Sequence, residues 1–192
     1  PYTGGQLPTP YYDANDGYPS HLLLNDGRGA FEPATARAGL HEKRFRRVLA
    51  GSLADLDWDG DLDLVTLNDF CGAELFYNNG AGVFTDETHR LDNRSLFGMG
   101  HCLADFDRDG RQDLLAIGMS IATVRRLERM KLEPPGFGER TARRGGMAWG
   151  NRLFTPRDER WVQPAFGATL ARTGWSWGVS AFDLDNDGGL EI

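Results

Sequence analysis

Three short segments carry carboxylates at a spacing that suits a hard cation. They are Asp55-Leu56-Asp57-Trp58-Asp59-Gly60-Asp61-Leu62-Asp63, Asp105-Phe106-Asp107-Arg108-Asp109-Gly110-Arg111-Gln112-Asp113 and Asp183-Leu184-Asp185-Asn186-Asp187-Gly188-Gly189-Leu190-Glu191. Each places a carboxylate at its first, third, fifth and ninth positions and glycine at its sixth. Alternate side chains then converge on one centre, and the glycine permits the sharp turn. Calcium accepts six to eight oxygens in flexible geometry, including a backbone carbonyl at the seventh position, whereas magnesium demands a stricter octahedron and gives up water reluctantly. The loops contain neither His nor Cys, which disfavours zinc and copper.

The expected side-chain ligands of the first loop are Asp55, Asp57, Asp59 and Asp63, with the carbonyl of Asp61. In the second they are Asp105, Asp107, Asp109 and Asp113, with Arg111 giving its carbonyl. In the third they are Asp183, Asp185, Asp187 and Glu191, with Gly189. Both flanks read as strands and no glutamate stands at the twelfth position, where Thr66 and Ala116 lie, so these are not EF-hands. Aspartate-rich turns can also cap strands through side-chain to backbone hydrogen bonds without metal. Three copies in register, each crowding four like charges into nine residues, would raise carboxylate pKa values and oppose folding unless a cation were present. About three Ca2+ ions are expected. The first loop, with the additional Asp61, should be the tightest, and the second should be weakened by Arg108 and Arg111.

The flanks repeat as well as the loops. Apolar stretches precede them at Val48 to Leu53, Met99 to Leu103 and Trp177 to Phe182, and the first two loops run on into Leu64-Val65-Thr66-Leu67 and Leu114-Leu115-Ala116-Ile117. These predict strand, acidic turn, strand. Between them, Leu24-Asn25-Asp26-Gly27-Arg28-Gly29-Ala30-Phe31 matches Tyr77-Asn78-Asn79-Gly80-Ala81-Gly82-Val83-Phe84, a hairpin signal in each case, and a degenerate third copy begins at Asn151-Arg152-Leu153-Phe154. Four strands per unit of about 50 residues is a β-propeller pattern. The predicted fold is therefore all-β, with residues 1–192 forming a partial propeller of about three and a half four-stranded blades. Since a closed ring needs roughly four to eight blades, the chain is expected to be part of a longer protein.

The loops are 50 residues apart from Asp55 to Asp105 but 78 from Asp105 to Asp183, which places one insertion at about 120–148. Ile121, Val124, Leu127 and Met130 recur every third residue, and Pro134-Pro135 forbids continuation, so an amphipathic helix of about three turns is predicted. Its Arg125, Arg126, Arg129 and Lys131, with Arg140, Arg143 and Arg144 after them, form either a solvated basic face or a patch for an anionic ligand.

The Asp-x-Asp-x-Asp-Gly-x-x-Asp/Glu loops, with Phe97-Gly98 and Trp177-Gly178 in the strands before them, resemble the FG-GAP or VCBS repeats of integrin α-subunit propellers and bacterial surface proteins. The Tyr77 to Asp86 segment, the Arg-rich insertion and Gly150-Asn151-Arg152-Leu153-Phe154 look like the cartilage acidic protein (ASPIC/UnbV-associated) branch. The resemblance implies a seven- or eight-bladed calcium-binding propeller, exported in most members and used for adhesion or interaction. Gly118-Met119-Ser120 departs from the Gly-Ala-Pro of integrins, Gln112 replaces an apolar residue, and Asp13 to Gly17 is too irregular to count as a loop.

Thirteen of the 28 acidic residues lie in the three loops, and outside them basic residues outnumber acidic ones. The net charge of −7 is thus a property of three sites, and it argues against a general nucleic-acid binder. No apolar run approaches the roughly 20 residues of a membrane span. The four histidines show no His-Glu-x-x-His spacing, and no Gly-x-Ser-x-Gly elbow or glycine-rich phosphate loop is present; His101 reads as a packed histidine. Cys71 and Cys102 either pair or remain buried thiols. Trp175 and Trp177 are expected in the core between blades, while Trp149 and Trp161, flanking the insertion, could bind a glycan or a protein loop. The expectation is a secreted or cell-surface interaction module with a protein or glycan partner. The alternative is an accessory or catalytic propeller of an exported polysaccharide- or lipid-processing enzyme.

Overall fold

The computed structural model describes residues 12–132 and 138–192. Strands β1 (Leu23–Asn25) and β2 (Phe31–Pro33) pair as a hairpin. Strands β3 (Arg47–Ala54), β4 (Asp63–Asp69), β5 (Gly72–Asn78) and β6 (Phe84–Asp86) form a four-stranded antiparallel meander. A second meander comprises β7 (Gly98–Ala104), β8 (Asp113–Gly118), β9 (Arg152–Arg157) and β10 (Arg160–Val162). The strand, acidic turn, strand units predicted around the first two loops and the Asn/Asp-Gly hairpins are present where the residue pattern places them, whereas the stretch from Trp177 to Phe182 expected as a strand before the third loop contributes only an isolated bridge at Phe182. Among the described residues the sheets do not close into a ring.

The repeat extends to irregularities. The β3–β4 ladder slips between Val48 and Ala50, and the β7–β8 ladder slips between Gly98 and Gly100, 50 residues on. Each slip is a one-residue bulge that bends and twists the strand leading into an acidic loop. Gly98 lies where β7 crosses β4: a Cβ there would sit 3.0 Å from the Asn68 carbonyl oxygen. The Phe-Gly of this repeat is thus a close approach of two sheets.

The period-two side-chain alternation of β8 divides the interior. Leu114 and Ala116 face Val65, Leu67, Ala73, Leu75 and Trp161 between the sheets, while Leu115 and Ile117 face Phe97, Met99, Val124 and Met147. Every residue of β8 is buried. A continuous apolar run is what a strand covered on both faces requires.

The insertion holds two helices where one was predicted, α1 (Ala122–Arg129) and α2 (Gly138–Met147). α1 is shorter than the expected three turns because Lys131 adopts φ 51°. Its N–H bonds the Glu128 carbonyl and that of Leu132 bonds the Leu127 carbonyl, a Schellman stop that precedes the prolines. Val124 is buried and Met130 is exposed, so only the upper part of the expected stripe packs. Pro134, Pro135 and the side chain of Arg140 lie outside the described residues. A short α3 (Gly167–Leu170) follows β10. No helix among the described residues is long and apolar enough to cross a membrane.

Trp175 and Trp177 correct the sequence reading: they are 63% and 70% exposed and lie outside any strand. Among the described residues the third loop is joined to its flank by the Phe182–Glu191 bridge alone. Trp161, expected beside a ligand site, is buried and donates its indole N–H to Tyr77 Oη at 3.1 Å. Cys71 and Cys102 are both free thiols, and Cys71 Sγ donates to the Ala14 carbonyl.

Glu74 on β5 is fully buried and lies 3.1 Å from both Lys43 Nζ and Arg46 Nε, while Asn68 Nδ2 donates to its Oε2. Arg46 also binds Asp13 and the Ala14 carbonyl, so the network ties the segment before β1 to the first sheet. Removing one partner of such a pair strands a buried charge, at a cost of about 3–5 kcal/mol. Glu74→Gln should therefore lower urea-unfolding stability by about 3 kcal/mol without altering the loops.

Candidate metal centre

Each acidic loop joins two neighbouring strands of a sheet or, in the third copy, the two halves of a bridge. The three turns share one backbone path. Their fourth residues, Trp58, Arg108 and Asn186, have φ of 63°, 60° and 61°, and the glycines at the sixth position have φ of 91°, 88° and 83°. Only glycine adopts the latter without strain.

Four hydrogen bonds recur in every loop. The first carboxylate accepts from the sixth amide, as in Gly60 to Asp55, Gly110 to Asp105 and Gly188 to Asp183. The third accepts from the fifth amide, and the fifth from the seventh. The ninth reaches back to the second amide: Leu56 to Asp63 at 2.9 Å, Phe106 to Asp113 at 3.0 Å and Leu184 to Glu191 at 2.8 Å. Each carboxylate is thereby aimed by a backbone N–H, and Asp105 and Asp183 accept loop amides at both oxygens.

The carboxylates so aimed converge. Asp55, Asp57 and Asp63 bring one oxygen each within 4.8 Å of one another, as do Asp105, Asp107 and Asp113, and Asp183, Asp185 and Glu191. The fifth positions do not join them. Asp109 Oδ2 accepts from Arg157 at 2.9 Å, Asp187 Oδ1 pairs with Arg108 at 2.9 Å, and Asp59 is engaged with the Asp61 amide. The Asp61 side chain lies against Gly80 of the β5–β6 turn. Arg111 and Gly189 take the same seventh-position turn, each amide donating to the fifth carboxylate.

Two oxygens test whether these sites suit a cation. Asp55 Oδ1 and Asp113 Oδ1 are buried and accept no hydrogen bond, so both carry lone pairs that nothing among the described residues satisfies. For Asp113 the cause is covalent. In the first sheet the Asn78 amide donates to Asp63 Oδ1 at 2.7 Å, but the register Leu114 opposite Phe154 puts Pro156 at that place, and proline has no N–H. Burial, reinforced by Asp107, Asp109 and Asp105, pushes the Asp113 carboxyl up to about 6, against the Phe106 amide that favours its charged form. Burial and the neighbouring Asp59 and Asp55 likewise raise Asp57. An all-oxygen set with an orphaned buried carboxylate fits a hard divalent cation.

The residue pattern missed Arg157. This residue of β9 pairs with Asp107 at 2.7 Å and Asp109 at 2.9 Å, placing a guanidinium on the second loop, where the aligned first-sheet position is Asn79. Arg108 and Arg111, expected to oppose a cation there, turn to the neighbours instead. Arg108 reaches Asp187 of the third loop, and the Arg111 guanidinium lies 4.6 Å from the centre of the Trp58 ring in the first. The loops are therefore adjacent, linked through the arginines of the middle one. His101 Nε2 bridges β7 to Ser52 Oγ on β3 at 2.8 Å, and burial lowers its pKa.

Without metal, the native state holds the Asp113 proton up to about pH 6 while the unfolded chain releases it near 4. More protons are bound in the native state across that window, so stability falls as pH rises through it. Urea unfolding in chelator should show this slope, and Asp113→Asn, which keeps the bond from Phe106, should flatten it and stabilise the metal-free protein at pH 7.

The geometry is matched by one family comparison. Residues 55–116, about a third of the chain, match the family model of the FG-GAP-like repeat. No curated protein sequence matches the chain. The matched span runs from the first acidic loop through the second and into β8, so the segment that is similar to the FG-GAP-like repeat holds two of the three carboxylate triads.

Proposed function

We propose that the three loops bind calcium and that the chain is part of a calcium-stabilised β-propeller serving as an extracellular interaction module for protein or glycan partners. The observation that carries this reading is the triad of oxygens repeated three times, with Asp55 Oδ1 and Asp113 Oδ1 buried and unsatisfied. Asp55, Asp57 and Asp63 would hold one ion, Asp105, Asp107 and Asp113 a second, and Asp183, Asp185 and Glu191 a third. The fifth-position carboxylates and seventh-position carbonyls would complete each set. Bound calcium would neutralise the loops and tie the two strands flanking each together. Sites of this kind in extracellular modules have affinities near 10⁻⁴ to 10⁻³ M, which suits a calcium-rich exterior.

Two further features favour the propeller. The meanders stand side by side with β7 against β4, as blades do, and β3 turns Leu49 and Leu53 outward at about half exposure, a face that another sheet would cover. The Arg-rich insertion and the Gly150 to Phe154 segment favour the cartilage acidic protein branch. The loop carboxylates, engaged with backbone amides and a cation, leave no pair free for acid–base chemistry, which favours binding over catalysis.

Thermal unfolding of the chain in calcium, in magnesium and in chelator tests the reading. Three sites at about ten times Kd would together add about 4 kcal/mol, and an absence of any calcium-specific rise would overturn it. Within that framework Asp57→Ala should cost more calcium affinity than Asp107→Ala in equilibrium titrations. Arg157→Gln, which removes the guanidinium from Asp107 and Asp109, should tighten the second site severalfold while leaving the first unchanged.

A further inference from the structure

A cleft of about 380 Å³ opens between α1, the end of α2 and the start of β9, and no residue of the acidic loops lines it. Its lining carries Arg125, Arg152 and Arg172 against a single acid, Glu128. Glu128 is not the counter-ion of any of them among the described residues. Its carboxylate sits at the α1–α2 contact, where a Cβ on Gly145 would come within 2.3 Å of Oε1. Arg152 is 3% exposed and donates to the Ser95 carbonyl, Gln163 Oε1 and the Gly146 carbonyl, each at 3.0 Å. These three neutral acceptors hold the guanidinium in place without compensating its charge. Burial without an acid lowers its pKa to about 10. A buried cation in this state is stabilised by any anion that can reach it.

Beside it lies Trp149, 39% exposed, with the guanidinium carbons of Arg152 and Arg172 at 5.7 and 5.9 Å from its ring centre. Arg125 and Arg172 form no ion pair among the described residues, so two guanidinium forks without a carboxylate partner there and one fixed fork border a partly exposed indole. Guanidinium forks match the planar, bidentate geometry of a carboxylate. An exposed indole provides an apolar platform of the size of a sugar ring. The cleft volume falls within the range of small-ligand sites.

We propose that this cleft binds a carboxylate-bearing sugar, a uronic acid, with the carboxylate on Arg125 and Arg172 beside the fixed charge of Arg152 and the ring against Trp149. The assignment rests on the reading of the chain as a binding module and is independent of calcium in the loops.

Calorimetric titration of the chain in calcium with glucuronate, with neutral glucose, with acetate and with an oligoglutamate peptide tests it. Glucuronate should bind, glucose should not, and the Arg125→Gln/Arg172→Gln pair and Trp149→Ala should each weaken glucuronate at least tenfold while keeping the thermal unfolding temperature. Oligogalacturonate binding more tightly than the monosaccharide would identify a polymer as the source of the sugar and support the assignment. No glucuronate binding, unchanged binding in the variants, acetate binding as tightly as glucuronate, or tighter binding of oligoglutamate would each overturn it. A calcium-specific thermal shift that persists alongside such a failure would leave the loop assignment standing and remove only the sugar site.

Discussion

The backbone of each repeat depends on one hydrogen bond, that from the second amide of an acidic loop to the carboxylate at its ninth position. Leu56 to Asp63 and Phe106 to Asp113 close the loop at the first residue of the following strand, where the carboxylate is fully buried. A buried carboxylate is tolerated only when its oxygens are occupied. The loop amides occupy one, and the demand of the other shapes the rest of the site. In the first sheet Asn78 supplies an N–H; in the second Pro156 cannot, and an orphaned oxygen remains. In the third, Glu191 makes the same closure with one more methylene, at an exposed position.

Repulsion among the carboxylates is managed by two different means. Backbone amides stabilise the charged forms from within each loop, and arginines do so from outside. Arg157 crosses from β9 to the second loop, and Arg108 crosses from the second loop to the third. Such exposed pairs contribute little stability individually. They give the fifth carboxylates of the second and third loops a guanidinium partner, whereas Asp59, equally outside its triad, has the Asp61 amide. Among the described residues the first loop has no equivalent arginine, and its exposed Trp58 instead receives Arg111 from its neighbour. Three copies of one loop are in this way made unequal by residues outside the loops.

The same division between local pattern and remote partner runs through the fold. β8 is buried along its whole length because it separates two apolar layers, one shared with the first sheet and one with the helices. The helices are held by Val124 and Met147 rather than by a continuous stripe, which leaves Met130 in solvent and opens the basic cleft beside Trp149.

Loop spacing, the strands on either side of the first two loops, the Asn/Asp-Gly turns and the position of the insertion were all legible in the residues, since each is governed by contacts within about ten positions: alternation, glycine at positive φ and side-chain to backbone bonds. The carboxylates at positions one, three and nine were legible for the same reason. What the tertiary structure decided were long-range matters. Trp161 and Trp177 look alike in sequence, yet one is buried in β10 against Tyr77 and the other is exposed, outside any strand among the described residues. Arg157 lies 44 residues beyond the loop it pairs with, and the consequence of Pro156 for Asp113 emerges only once β9 is set beside β8 in register. Local rules determined that three acidic turns form; the strand placed next to each turn determined which oxygens and charges that turn would present.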